Sequence, residues 1–193
     1  QAYDFINNAG NINFDNSTPP VAISPSLQGT NDADIDAAEA WNIEQGSQNV
    51  IVAVFDTGVD YRHPDLSQNI WTNAGETGGI LGVDDDGNGY IDDFRGIDII
   101  DDDNDPDEGF SRTNAQAHGT HVAGIIGAQG NNGIGISGVS QNVSIMPIRF
   151  LAGPGQLGPT DRDQARALHY AVNQGAQIIN ASFSRPDIGG NPW

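Results

Sequence analysis

The chain has 193 residues and carries 26 Asp and Glu against seven basic residues, for a formal net charge of -19; all seven cations are Arg. That balance excludes capture of nucleic acid or of an anionic membrane by charge. The absence of Cys excludes a disulfide framework, a thiolate metal site and a thiol nucleophile.

The length fits one domain, and no apolar run approaches the ~18 residues of a membrane span. Gln1 in place of an initiator Met reads as a processed N-terminus or as an artificial boundary of the sequence, and processing would imply an exported protein. Residues 1–31 are rich in Asn, Ser, Pro and Gly and read as an irregular arm. From Asp32, an Asp cap and an acidic first turn predict a short helix carrying Ala37, Ala40 and Trp41. Asn49 to Phe55 is an almost unbroken β-branched apolar run, the pattern of a strand buried on both faces, and it ends at Asp56-Thr57-Gly58. Residues 66–116 lack periodicity and read as long loops with brief strands near Gly96–Ile100. By count, 12 of the 26 acidic residues fall between Asp84 and Glu108, opposed only by Arg95. His118 to Ala128 predicts a small-residue helix and Val143 to Phe150 a strand. Thr160 to Gln174 predicts an amphipathic helix with Ala165, Leu168, Ala171 and Val172 inward, and Ala176 to Phe183 a further strand. Strands alternating with helices predict an α/β fold, a parallel sheet with helices on both faces.

Asp56 falls at the carboxyl end of the buried strand, where open parallel sheets bind ligands. An Asx turn with Thr57 and Gly58 accounts for it equally well. His118 and His121 stand three apart, not four as in HExxH, with no Glu as general base, so a metal pair is the weaker reading. Between Asp98 and Asp107, the carboxylates of Asp98, Asp101, Asp103, Asp105 and Asp107 alternate so that side chains and carbonyls converge on a hard cation needing 6–8 oxygens. Asp84, Asp86, Asn88, Gly89 and Asp92 stand at the offsets of an EF-hand loop. Position twelve is Arg95 and no helix flanks the segment, so it reads as a calcium loop of another kind, closed by Asp93.

Three blocks, Val52 to Leu66 around Asp56-Thr-Gly, His118-Gly-Thr-His-Val-Ala-Gly124 and Ile178-Ile-Asn-Ala-Ser182-Phe, resemble in content and order those of the subtilisin-like serine proteases. The resemblance runs from about Asp32 to Phe183. It implies that Asp56 is the triad aspartate and His118 the triad histidine, and that His121 and His63 are structural, His121 being buried. It implies two walls that bind substrate main chain by strand addition: the segment at Ser182, and Leu151 to Gly155 with Gly153 and Gly155. Ser184 stands where the family usually has Gly. The spacing from Asp98 to Asp107 resembles a calcium loop of thermitase-like members. Asp65 and Asn132, with the carbonyls of Gly130, Ile134 and Ile136, match the family's strong calcium site.

In subtilisin the nucleophile lies roughly 150 residues beyond the histidine. None of Ser137, Ser182 or Ser184 has the Gly-Thr-Ser-Met-Ala context, and the oxyanion Asn is missing as well. The implied function is a secreted, calcium-stabilised serine endopeptidase acting on peptides or proteins. Residues 32–193 are then the N-terminal part of its domain, and a missing or separate segment brings the serine and covers an exposed apolar strand near Ile178 to Phe183. The alternative is an inactive fragment or a calcium-dependent binding module.

Overall fold

A computed structural model of the chain describes residues 11–12, 21–22, 35–108, 117–152 and 158–183. In chain order the elements are β1 (Asn11–Ile12), β2 (Val21–Ala22), α1 (Ala37–Trp41), β3 (Gly46–Asp56), β4 (Ile97–Asp98), α2 (His118–Gly127), β5 (Asn142–Arg149), α3 (Asp161–Asn173) and β6 (Ile178–Asn180). β1 and β2 form an antiparallel pair, and the other four strands form one sheet in the order β4-β5-β3-β6. Every pairing in that sheet is parallel. The chain passes from β3 to β5 on one side and then returns across β3 to β6 on the other. The carboxyl end of β3 therefore lies where the connections diverge, the place such sheets reserve for ligands.

Alternation along the strands assigns the two faces. Val52, Val54, Val143 and Ile145 point to one side, against Ala123 and Ala128 at α2. Ala53, Phe55, Met146 and Ile148 point to the other, against Ala167, Tyr170 and Ala171 of α3. Each of these strand side chains is buried, worth about 1.5–3 kcal/mol apiece for the larger ones. The unbroken apolar runs thus become strands covered on both sides. α2 approaches closely because Gly119, Ala123, Gly124 and Gly127 are its buried residues.

Three local expectations change. α1 begins at Ala37 with Asp36 in the N-cap position, left-handed at φ 53° and without a side-chain cap bond; Asp32 lies outside the described residues. In α3 the inward stripe is Ala167, Tyr170 and Ala171, so Ala171 was placed correctly while Ala165, Leu168 and Val172 are exposed. Both stripes have helical spacing, and only the docking angle on the sheet chose between them. His121 is exposed, not buried, because it lies across the helix from the glycine face.

β6 is shorter than expected. Among the described residues it lies at the edge of the sheet, with Ile178 51 % and Ile179 37 % exposed; on α3, Leu168 and Val172 are 47 % and 58 % exposed. This is the uncovered apolar strand foreseen from the sequence.

Candidate functional site

Asp56 ends β3 with no exposed surface. Its Oδ1 accepts the Thr57 amide at 2.8 Å and faces His118 Nδ1 at 2.7 Å. The same oxygen thus meets both the Thr57 amide and the His118 imidazole. His118 opens α2, and its side chain stays 46 % exposed. A carboxylate against Nδ1 selects the tautomer protonated there and leaves Nε2 as the basic nitrogen. Such a pair takes up a proton at Nε2 while the buried carboxylate stabilises the resulting imidazolium.

The strands flanking β3 lead to the same end of the sheet. The amides of Phe150 and Leu151, just past β5, donate to the Asp56 carbonyl. Ser182 follows β6, and its Oγ donates to Asn180 Oδ1 at 2.9 Å. Ser182 and Leu151 thus leave the sheet on opposite sides of Asp56. Gly153, Gly155 and Ser184 lie outside the described residues.

Much of the acid gathers in one loop. Glu76, Asp86 and Asp93 present oxygens that all lie within 4.8 Å of one another, and Glu76 and Asp93 are buried. Glu76 accepts the amides of Asp85, Asp86 and Asp92. Asp93 accepts Asn73 Nδ2, Asn88 Nδ2 and, at 2.6 Å, the Tyr170 hydroxyl from α3. Burial pushes the Asp93 carboxyl above its ordinary range despite those donors. Burial and the Asp93 carboxylate together push the Tyr170 phenol up. For Asp86 burial also acts upward, but hydrogen bonds led by Asn73 and Asn88 win and hold it low. Asp84 accepts the amides of Asn88 and Gly89. Asp92 accepts the Gly82 amide, and its other oxygen is buried without a hydrogen-bond partner. Among the described residues no ion pair reaches Glu76, Asp86 or Asp93. Three converging carboxylates, two of them buried, facing only neutral donors fit a hard cation. Glu76, Asn73 and Tyr170 were not legible as members of this group, since no motif spacing joins them to the Asp-rich run.

Asp65 is buried; Asn132 Nδ2 donates to its Oδ1 at 2.7 Å and the Ile136 amide to its Oδ2 at 2.9 Å. Gly135 lies so close that a Cβ there would stand 2.2 Å from Asp65 Oδ2. Asp65 and the loop holding Gly130, Asn132, Ile134 and Ile136 are thus brought together. The five carboxylates from Asp98 to Asp107 are arranged differently. Asp98 and Asp101 share the Arg149 guanidinium, and Asp107 pairs with Arg62. Asp105 accepts the Tyr61 hydroxyl, and Asp103 accepts the Asp105 amide. Among the described residues these five form no group of three converging ligand atoms.

Residues 47–193 match the model of the subtilase family. The chain is 42% identical over 136 residues to subtilisin-like protease 1 of Plasmodium vivax, covering 69% of this chain and 20% of that protein. It is 34% identical over 165 residues to the minor extracellular protease Vpr of Bacillus subtilis (strain 168), covering 84% of this chain and 17% of that one. Among solved structures it is similar to fervidolysin from Fervidobacterium pennivorans, described as a keratinolytic enzyme related to subtilisin. There the TM-score is 0.51 at 31% identity, covering 75% of this chain and 18% of the other. The chain spans 17% to 28% of the length of curated relatives such as these.

Proposed function

Because the chain belongs to the subtilase family, we propose that residues 32–193 are the N-terminal part of a secreted, calcium-stabilised serine endopeptidase domain, with residues 1–31 as an arm. The observation that carries this is the 2.7 Å contact between Asp56 Oδ1 and His118 Nδ1 at the carboxyl end of β3.

In the proposed reaction a serine hydroxyl from a segment outside these 193 residues attacks the scissile carbonyl carbon. His118 Nε2 takes the hydroxyl proton and then delivers it to the departing amine, leaving an acyl-enzyme. A water deprotonated by the same nitrogen releases the acid and restores the serine. Asp56 keeps its proton-free state throughout, holding the tautomer and stabilising the imidazolium. Substrate main chain is taken between the segment at Ser182 and that at Leu151, Gly153 and Gly155. The same missing segment covers β6 and the outer stripe of α3. Secretion is supported by the extracellular relative.

Calcium is proposed at three loops. Glu76, Asp86 and Asp93 with Asn88, joined by Asp84 and Asp92, hold one ion. Asp65 and Asn132 with the carbonyls of Gly130, Ile134 and Ile136 hold a second. The stretch with Asp98, Asp101, Asp103, Asp105 and Asp107 holds a third, where Arg149 and Arg62 already offset part of the charge. The ion's contribution is structural: it neutralises and cross-links loops.

The test is fluorophosphonate labelling of the complete protein in calcium, with Asp56→Asn and His118→Ala as comparisons. Each substitution is expected to slow labelling by on the order of 10⁴-fold or more. Unlabelled wild-type protein that calcium nevertheless stabilises would instead establish the binding-module reading.

A further inference from the structure

The N-terminus of α2 has no cap of its own, and its cap comes from the strand that carries Asp56. Ala117 occupies the N-cap position and makes no side-chain cap bond. An Ala side chain has no acceptor, so the first amides of the helix need a partner from elsewhere. Gly119, one residue beyond His118, donates its amide to Thr57 Oγ1 at 3.0 Å. Two consecutive residues of one chain end therefore grip two consecutive residues of the other, carboxylate to imidazole and hydroxyl to amide. The approach is possible only because residue 119 is glycine: a Cβ there would stand 2.0 Å from the Gly58 carbonyl oxygen and 3.0 Å from Asp56 Cβ. A second hydroxyl fastens the loop that follows. Thr120 Oγ1 accepts the Asp60 amide and donates to Glu108 Oε1, both at 2.8 Å.

We infer that Thr57 is a positioning residue for His118: by capping α2 in trans it sets the distance and ring orientation of the imidazole against Asp56. This rests on the reading of Asp56 and His118 as the acid–base pair. The Thr57 hydroxyl reaches the helix end through Gly119 while its amide donates to Asp56 Oδ1, so the role assigned to the hydroxyl is to position His118 and not to take part in the chemistry. Thr57→Val keeps the shape and removes the acceptor, whereas Thr57→Ser keeps the acceptor.

The complete protein and both variants are compared by two readouts, the second-order rate of fluorophosphonate labelling and the low-field proton resonance of His118 Nδ1. Thr57→Val is expected to slow labelling roughly 10–100-fold, the scale of an ångström-level misplacement, and to broaden or abolish the resonance. Thr57→Ser is expected to stay within about threefold of wild type with the resonance intact, on the same reasoning. A Thr57→Val protein that labels like wild type and keeps the resonance overturns the inference, as does a Thr57→Ser protein as slow as Thr57→Val. Should Thr57→Val fail to fold, the Thr57→Ser result and amide exchange at Gly119 in the wild type decide, and a rapidly exchanging Gly119 amide also overturns it. Wild-type protein without the low-field resonance overturns the Asp56–His118 pairing itself, a failure distinct from that of Thr57.

Discussion

Asp93 is buried and held by three neutral donors, Asn73, Asn88 and Tyr170. A carboxylate so placed lowers the stability of the ion-free fold unless it is protonated or paired. Asp93→Asn removes the charge at nearly constant volume. The expected outcome is a Tm in EDTA equal to or above wild type, together with loss of at least half of the calcium-induced rise in Tm. Saturation at about 100 times Kd is worth ~2.7 kcal/mol, so the difference is well within reach of thermal melts. A variant with the full calcium response would remove Asp93 from the proposed ligand set. At this scale Asp56 and His118 were legible because each sits in a short block of distinctive neighbours. Glu76 was not, because Asn-Ala-Gly-Glu-Thr-Gly-Gly carries no spacing that separates a buried ligand from a solvated loop residue. Only the fold back onto Asp85, Asp86 and Asp92 buries it.

Among the elements, α2 depends most on side chains that are absent. Gly119 and Gly124 look alike in sequence and are both buried, yet they meet different surroundings. A Cβ at 119 would collide with backbone at 2.0 Å, whereas one at 124 would find only Ile136 Cδ1 at 3.7 Å, an ordinary contact. Gly119→Ala is expected to cost about 1–3 kcal/mol through overpacking and to lengthen the Asp56–His118 contact. Gly124→Ala is expected to be neutral or to gain up to ~1 kcal/mol from helix propensity. Urea unfolding of the two variants measures both, and equal effects would mean that α2 is not seated as described. The helix itself was legible from its small-residue run. The inward face of α3 was not: Leu168 and Val172 have the periodicity of a core stripe, but the sheet meets Ala167, Tyr170 and Ala171. Its capping box, with Thr160 and Asp163 bonded reciprocally, fixed where the helix starts and says nothing about its rotation.

For the molecule as a whole, -19 charges on 193 residues oppose compaction, and added salt screens them. With calcium chelated, Tm is expected to rise between low and molar NaCl. The pH dependence has a definite sign. Asp93 and Asp98 are raised from 3.8, chiefly by burial. The folded state therefore binds their protons more tightly than the unfolded chain. Their contribution is fully present below 3.8 and is lost as pH rises through the raised values. Asp163, lowered from 3.8 by the Thr160 hydrogen bonds, and Asp86, lowered by those of Asn73 and Asn88 against burial, contribute in the opposite sense, a stability lost as pH falls through their lowered values. In EDTA the expected optimum therefore lies on the acid side of neutrality, and calcium moves it upward because the ion requires ionised carboxylates. A calcium-free Tm that climbs steadily from pH 5 to 8 would contradict this assignment of charge.

Sequence alone indicated the alternation of strands and helices from α1 onward and the parallel α/β class, and its blocks carried the resemblance that named the family and set Asp56 beside His118; the β1–β2 pair, inside residues read as an irregular arm, was not legible. The class is written in local periodicity, which physical chemistry reads without knowing what lies across the sheet, whereas the family and the Asp56–His118 pairing rest on the resemblance of contiguous blocks. Tertiary structure alone decided which stripe of α3 faces inward, that Arg149 serves Asp98 and Asp101, that Glu76 joins Asp86 and Asp93, and that Thr57 caps a helix beginning some sixty residues later. Those contacts join residues far apart in the chain whose local surroundings are ordinary, so their energies exist only once the sheet has brought the segments together.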